Sequence, residues 1–248
     1  MGKATRERSA RERLAEQRRI EAQREKRTRM ITVVGGALAL ILVAVGLVVY
    51  INSSKDKSEE YAGKLAPATR EADGSIVMAQ PGVTAPVLEI YEDFQCPACK
   101  NLEDTSGDTI KRLAAEGKAK VVYRPFRLFG QDPLKSNSER AANAALCAPA
   151  DKWVRFHDEI FDNQPREGSV GFQNDDLIAW GGESGITGAG FENCVKQGEK
   201  NTQVASMTEY ALNTAKVEST PTVKLDGEVI TDAAFSPSDL EKAVASAK

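Results

Sequence analysis

From Ile31 to Ile51 the chain carries no Asp, Glu, Lys or Arg, a 21-residue gap in a sequence otherwise dense in charge. About 20 apolar residues of helix span the hydrocarbon core of a bilayer. The run is therefore expected to be a transmembrane helix, and it divides the chain into parts that must be read separately. A secretory signal has a shorter apolar region, of about 7–15 residues, and a small-residue cleavage site. No persuasive cleavage site follows Tyr50, and a lipid-modified anchor needs a cysteine just after the run, whereas the first cysteine is Cys96. An uncleaved anchor is the expectation, with a cleaved signal as its rival.

Charge sets the expected orientation. Residues 1–30 hold eleven Lys/Arg against five Glu, leaving 22 basic and 31 acidic residues after the apolar run. The formal charge of −3 is thus a +6 head joined to a −9 body. Basic residues beside a span stay on the cytoplasmic side, so residues 1–30 are expected inside, as a basic head attracted to anionic lipid. Everything after the span is then extracytoplasmic. The head interleaves Arg with Glu, as in Glu7 and Arg11, and has no aromatic residue. That favours a solvated charged helix over a nucleic-acid site.

Residues 52–70 (NSSKDKSEEYAGKLAPATR) are polar and read as a linker, and residues 71–248 as one domain. In that domain Ser75–Ala79 and Pro86–Tyr91 have strand character, followed by Cys96-Pro97-Ala98-Cys99 and a helix reaching Gly117. A second core strand is expected over Ala119–Phe126, then a helical block over about 134–216 with a glycine-rich break at Gly181–Gly190. Trp153, Phe156, Ile160 and Phe161 fall at i, i+3, i+7 and i+8 and predict one buried helix face. Asp226-Gly227 predicts a hairpin turn within Thr222–Ile230. Ser236 and Pro237 predict the N-cap and first turn of a last helix. The order implies an α/β domain with an inserted helical block.

Cys96 and Cys99 sit where a buried strand gives way to a helix. The free amides and macrodipole of a helix start favour negative charge, and the thiolate is the reactive form of cysteine. Cys99 lies one turn on, within reach of an internal disulfide. Zinc is the main rival, but the other candidate ligands, Cys147, Cys194 and His157, form no second close pair. No metal and no cofactor are expected. The glycine-rich break lacks a following Gly-Lys-Ser/Thr, so a phosphate loop is excluded. His157, beside the core face of its helix, reads as a structural histidine rather than a catalytic base.

Glu92-Asp-Phe-Gln-Cys-Pro-Ala-Cys99, Trp153-x-x-Phe-His-Asp-x-Ile-Phe161 and Ser219-Thr-Pro-Thr-Val223 together resemble the DsbA family of disulfide oxidoreductases. The resemblance covers roughly residues 75–248 and is strongest to membrane-anchored members of Gram-positive envelopes. It implies a thioredoxin-like fold with a helical insertion, preceded here by the transmembrane helix. It implies further that Cys96 is the attacked cysteine, that Cys99 resolves it, and that Pro97 and Ala98 form the active-site loop between them. Thr220 and Pro221 take the place of the family's cis-proline loop, which binds substrate backbone. The implied partners are exported unfolded proteins, and a quinone-linked membrane reoxidant of the DsbB or vitamin K epoxide reductase-like type. A reductase or isomerase using the same site, and a redox-inert envelope-binding module, are the alternatives.

Two matters stay open in the sequence. Many thioredoxin-fold proteins place a buried carboxylate six residues before the first cysteine, where this chain has Ile90. Glu92 could serve through water, or could be an ordinary solvated strand end. Cys147 and Cys194 are expected to pair, as leftover cysteines outside the cytoplasm do and as in some related envelope members, with an electron-relay pair as the alternative.

Overall fold

The computed structural model describes residues 63–247. The basic head and the apolar run lie outside the described residues, as does most of the expected linker. Among the described residues no helix is long and apolar enough to cross a membrane.

Six strands form one mixed sheet: β1 (Ala68–Arg70), β2 (Ile76–Met78), β3 (Val87–Glu92), β4 (Lys120–Pro125), β5 (Thr222–Leu225) and β6 (Glu228–Val229). Their spatial order is β1-β2-β4-β3-β5-β6. Only β3 and β4 run parallel, because helix α1 (Pro97–Ala115) carries the chain across between them. Six helical segments separate β4 from β5: α2 (Leu134–Cys147), α3 (Ala150–Asp162), α4 (Asn174–Glu183), α5 (Ala189–Gln197), α6 (Asn201–Glu209) and a π-helical turn at Tyr210–Thr214. Two more helices, α7 (Thr231–Ala234) and α8 (Pro237–Ser246), close the domain.

Strand alternation decides which side chains make the core. Ile76, Met78, Leu88, Ile90, Val121, Tyr123, Val223 and Leu225 belong to the main cluster with Leu102 and Ile110 of α1 and Leu240 and Val244 of α8. Trp153, Phe156, Ile160 and Phe161 of α3 join the same cluster, each at most 1% exposed, as their spacing predicts. Tyr91 points the other way and packs with Phe126, Ala211 and Val217 in a separate small cluster. The glycine-rich break is the turn between α4 and α5, where Gly185 and Gly188 adopt positive φ. Asp226 and Gly227 both take the positive φ that a two-residue hairpin turn requires, and Asp226 Oδ1 accepts the Val87 amide at 2.8 Å.

One boundary needs correction. Residues 68–70, read as the end of a linker, form β1 and pair with β2. Ala66 is already buried. Arg70 explains the difference: its guanidinium donates to the carbonyls of Ala145 and Ala148 at the end of α2, at 3.2 and 2.8 Å. Helix ends leave such carbonyls without partners, and a charged donor from a distant strand satisfies them. Polar composition alone could not show this.

Candidate active site

The site is built where β3 ends. Cys96 is the N-cap residue of α1 and Pro97 opens the helix, as the missing proline N–H and fixed φ favour. Asp93 holds the loop in place. Its buried carboxylate accepts from the Gln95 amide at 2.9 Å, the Leu128 amide at 2.8 Å and the Ser138 hydroxyl at 2.9 Å. The connection after α3 ties down the other side: Gln164 Nε2 donates to the carbonyls of Phe94 and Cys96 at 2.7 and 3.0 Å. Asn137 donates to Gln95 Oε1 and to the Ser169 carbonyl. The helical insertion thus fixes the redox loop by hydrogen bonds from three directions.

The two cysteines, free thiols here, have opposite surroundings. Cys96 is 7% exposed, with Pro97 and Ala98 open to solvent beside it, while Cys99 is sealed at 1%. The Cys99 thiol, hydrogen-bonding to Cys96, is the main cause that lowers the Cys96 pKa to about 6. Burial works against this, and the Thr220 hydroxyl and the backbone amides of Cys99 and Ala98 reinforce it. Burial and the neighbouring Cys96 push Cys99 well above the usual thiol range. A thiolate is therefore stable on Cys96 and disfavoured on Cys99, the asymmetry needed for one sulfur to be attacked and leave while the other resolves.

Thr220 and Pro221 meet Cys96 across 124 positions of sequence. The Thr220–Pro221 bond is cis, and the Thr220 carbonyl accepts from Cys96 Sγ at 3.3 Å. Cys147 and Cys194 form a disulfide, joining the end of α2 to α5.

A buried group of titratable residues lies beside the site. Glu92 stands on the same face of β3 as Ile90 and is 1% exposed, so it is not the solvated strand end that was its alternative. Its Oε1 lies 2.8 Å from His157 Nε2. Burial opposes the imidazolium, but Glu92, Asp158 and Glu103 together raise the His157 pKa to about 10. Burial raises the Glu103 pKa to about 7, against the attraction of His157. Among the described residues, Glu92, Glu103 and His157 are also the one group arranged to hold a cation, with ligand atoms within 4.8 Å of one another. The His157–Glu92 contact has the length of an ordinary charge-assisted hydrogen bond. Sequence reading missed Glu103, although its place four residues after Cys99 puts it on the same helix face. It missed Asp93, Gln95, Asn137 and Gln164 because their partners are remote in sequence.

These surroundings set a pH dependence. In the reduced protein, alkylation of Cys96 should be half-maximal near pH 6, following its thiolate, while Cys99 stays unreactive through pH 8. Mass mapping after a short iodoacetamide pulse at each pH measures both. Equal labelling of the two cysteines, rising only above pH 8, would contradict the asymmetry.

Residues 80–246 match the thioredoxin family model. No curated protein matches the chain. Among solved structures it is similar to the reduced form of DsbG, a disulfide bond oxidoreductase of Mycobacterium tuberculosis, at 27% identity, with 73% of this chain and 93% of that one covered and a TM-score of 0.55. Reduced DsbA of the same organism is 27% identical over 73% of this chain and 98% of its own, with a TM-score of 0.54. MdbA, a thiol-disulfide oxidoreductase from Actinomyces oris, is 21% identical over 76% of this chain and 95% of its own, and at a TM-score of 0.60 shares the fold. With more than half of its length matched by the family model and its cysteine pair set at the sheet–helix junction, the chain belongs to the thioredoxin family, as a DsbA-like thiol:disulfide oxidoreductase.

Proposed function

We propose that this protein is an extracytoplasmic disulfide oxidase that donates the Cys96–Cys99 disulfide to exported, unfolded proteins. The observation that carries this reading is the contrast between Cys96, whose thiolate is stabilised, and Cys99, whose thiolate is not. A substrate thiolate attacks Cys96 Sγ. The Cys96–Cys99 bond breaks, and Cys99 leaves with the electron pair and is protonated. A second substrate thiolate then attacks the substrate sulfur of the mixed disulfide, and Cys96 departs as the stable thiolate. Two electrons pass to the enzyme and the substrate gains one disulfide.

The segment before β5 suits a peptide substrate. Glu218 and Ser219 are exposed, and Thr220 and Pro221 close the segment against Cys96. An extended peptide laid beside it would be held by main-chain bonds, which give affinity with little sequence preference. That fits an enzyme serving many unfolded chains. Reoxidation is assigned to a quinone-linked membrane protein, of the DsbB or vitamin K epoxide reductase-like type. The uncharged run from Ile31 to Ile51, with the basic head before it, supports anchoring beside such a partner, with the catalytic domain outside.

Location is tested with a phosphatase that folds only outside the cytoplasm, fused after Lys248. It should be active in intact cells, and external protease should release the domain while residues 1–30 stay protected. A silent fusion, paired with activity of a cytoplasm-only reporter at the same position, would contradict the assignment.

A further inference from the structure

Glu92 of β3, Glu103 of α1 and His157 of α3 bring one metal-ligating atom each within 4.8 Å of the others. Glu92 Oε1 is bonded to His157 Nε2 at 2.8 Å, but Glu92 Oε2 and both oxygens of Glu103 are buried with no hydrogen-bond partner. The Tyr123 hydroxyl, on a ring whose centroid is 4.9 Å from that of His157, is buried and unpartnered as well. Buried polar atoms are nearly always bonded, so this group of orphaned atoms around one histidine points to a ligand. Gly107 makes the room. A glycine inside a helix costs stability, and here a Cβ would lie 2.7 Å from Glu103 Oε2.

We propose that Glu92, Glu103 and His157 form a binding site for one divalent transition-metal ion, with zinc as the best match. Carboxylate oxygen and imidazole nitrogen are donors that zinc accepts in proteins. Tetrahedral zinc ligands stand roughly 3.3 Å apart, given bond lengths of about 2.0–2.2 Å. That spacing falls between the 2.8 Å of the Glu92–His157 contact and the 4.8 Å limit of the group, so small side-chain rotations reach it. A second glutamate oxygen supplies the fourth position. The charges also balance, because two carboxylates and a neutral imidazole match a dication. The ion takes the place of the His157 Nε2 proton, which leaves to solvent. Calcium and magnesium take about six to eight oxygen ligands, and this site is too small a set for either.

The surroundings are those of a metal-bound histidine. Such a ring gives its other N–H to a carboxylate that fixes its orientation, and here Asp158 Oδ1 lies 3.3 Å from Nδ1. Lys111 of α1 holds Asp158 at 2.6 Å and faces Asp108 at 3.7 Å, so its charge is already engaged. Phe94, Tyr123, Trp153 and Phe161 pack around the imidazole and keep its plane in place. Glu103 alone of the three ligands is part-exposed along its length, and it gives the ion a way in. No cysteine takes part. A bound ion pins the strand before the redox loop, the redox helix and the helical insertion to one another. The site stands independently of the oxidase function proposed above.

The test uses the full-length, untagged protein in detergent, stripped by chelator and oxidised so that Cys96 and Cys99 offer no thiolate. The probe is zinc ion. One equivalent should bind and raise the midpoint of thermal unfolding, as a ligand of the folded state does, while calcium and magnesium at the same concentration should not. His157 is the chain's one histidine, so imidazole scattering in the zinc X-ray absorption spectrum has a single source. Asp158→Asn should weaken binding about 10–100-fold, the usual cost of losing an outer partner, and Glu103→Gln should weaken it further. Gly107→Ala removes no ligand and favours the helix, yet by displacing the Glu103 carboxylate it should weaken binding about tenfold, as an outer-partner loss does. Should Glu103→Gln fail to fold, Gly107→Ala and the absorption spectrum decide. No zinc bound, a bound zinc without an imidazole neighbour, or unchanged affinity in folded Gly107→Ala and Glu103→Gln would overturn the site.

Discussion

Replacing Cys147 and Cys194 together by serine should lower the free energy of unfolding by on the order of 4 kcal/mol, the cost given by chain entropy for opening a loop of this length. The two residues are 47 apart in sequence, and their bridge joins α2 to α5. The loop it closes contains α3 and α4, and so the Trp153–Phe161 face on which the sheet packs. A domain's whole stability is about 5–15 kcal/mol, so this loss should appear as a large fall in the urea midpoint under oxidising conditions. Exchange at 25 °C should largely survive, because neither cysteine touches the Cys96 loop among the contacts found there. A midpoint within error of the unmodified protein would mean the bridge does not constrain the unfolded chain. Loss of exchange in folded protein would mean that it carries electrons.

The second large effect is expected at Pro221. Proline presents no N–H, so at the Cys96 contact the backbone of this loop offers only the Thr220 carbonyl. Threonine at 221 adds an amide and a hydroxyl donor beside the sulfur at which substrate is attached. One further hydrogen bond to the bound peptide, of roughly 1.4 kcal/mol, lengthens the life of the covalent complex about tenfold. Non-reducing gels of envelope protein from cells carrying Pro221→Thr should show mixed disulfides through Cys96 in that excess. Cys99→Ser, which removes the resolving thiol, serves as the positive control. No accumulation with Pro221→Thr while Cys99→Ser traps substrates would show that this loop does not hold the peptide.

What the sequence disclosed follows the range of the forces involved. The β3 strand, the Cys-Pro-Ala-Cys helix start, the Trp153–Phe161 face and the Asp226-Gly227 turn are each set within a few residues, by alternation, periodicity or a required φ, and each was legible. The strand at 68–70 was not, because Arg70 is fixed by carbonyls about 75 positions away. Glu92 read equally well as a solvated strand end, since what buries it is His157, 65 residues on, brought there by packing of α3. The hydrogen bonds of Gln95, Asn137 and Gln164 are of the same long-range kind. The short helix Thr231–Ala234 was not anticipated, and Tyr210–Thr214, inside the expected helical block, takes a π form that periodicity did not indicate. The cavity of about 490 Å³ lined by Tyr91, Arg124 and Tyr210 shares no lining residue with the cysteine site, and sequence gave no sign of it.

The direction of electron flow rests on Cys96. A thiol pKa lowered to about 6 stabilises the reduced protein. The sign follows from linkage: the depressed pKa favours the reduced form fully above the pKa of an unfolded cysteine, about 8.5, and the benefit is lost as pH falls through 6. A stabilised reduced form makes a stronger oxidant, and for this two-electron couple about 30 mV corresponds to 1.4 kcal/mol. The reduction potential of Cys96–Cys99, measured against glutathione at pH 7, should therefore be more oxidising than the about −270 mV of thioredoxin, whose attacked cysteine has a pKa of about 7, by roughly 20 mV or more. A value at or below about −270 mV, where thioredoxin works as a reductant, would contradict disulfide donation as the activity of this protein.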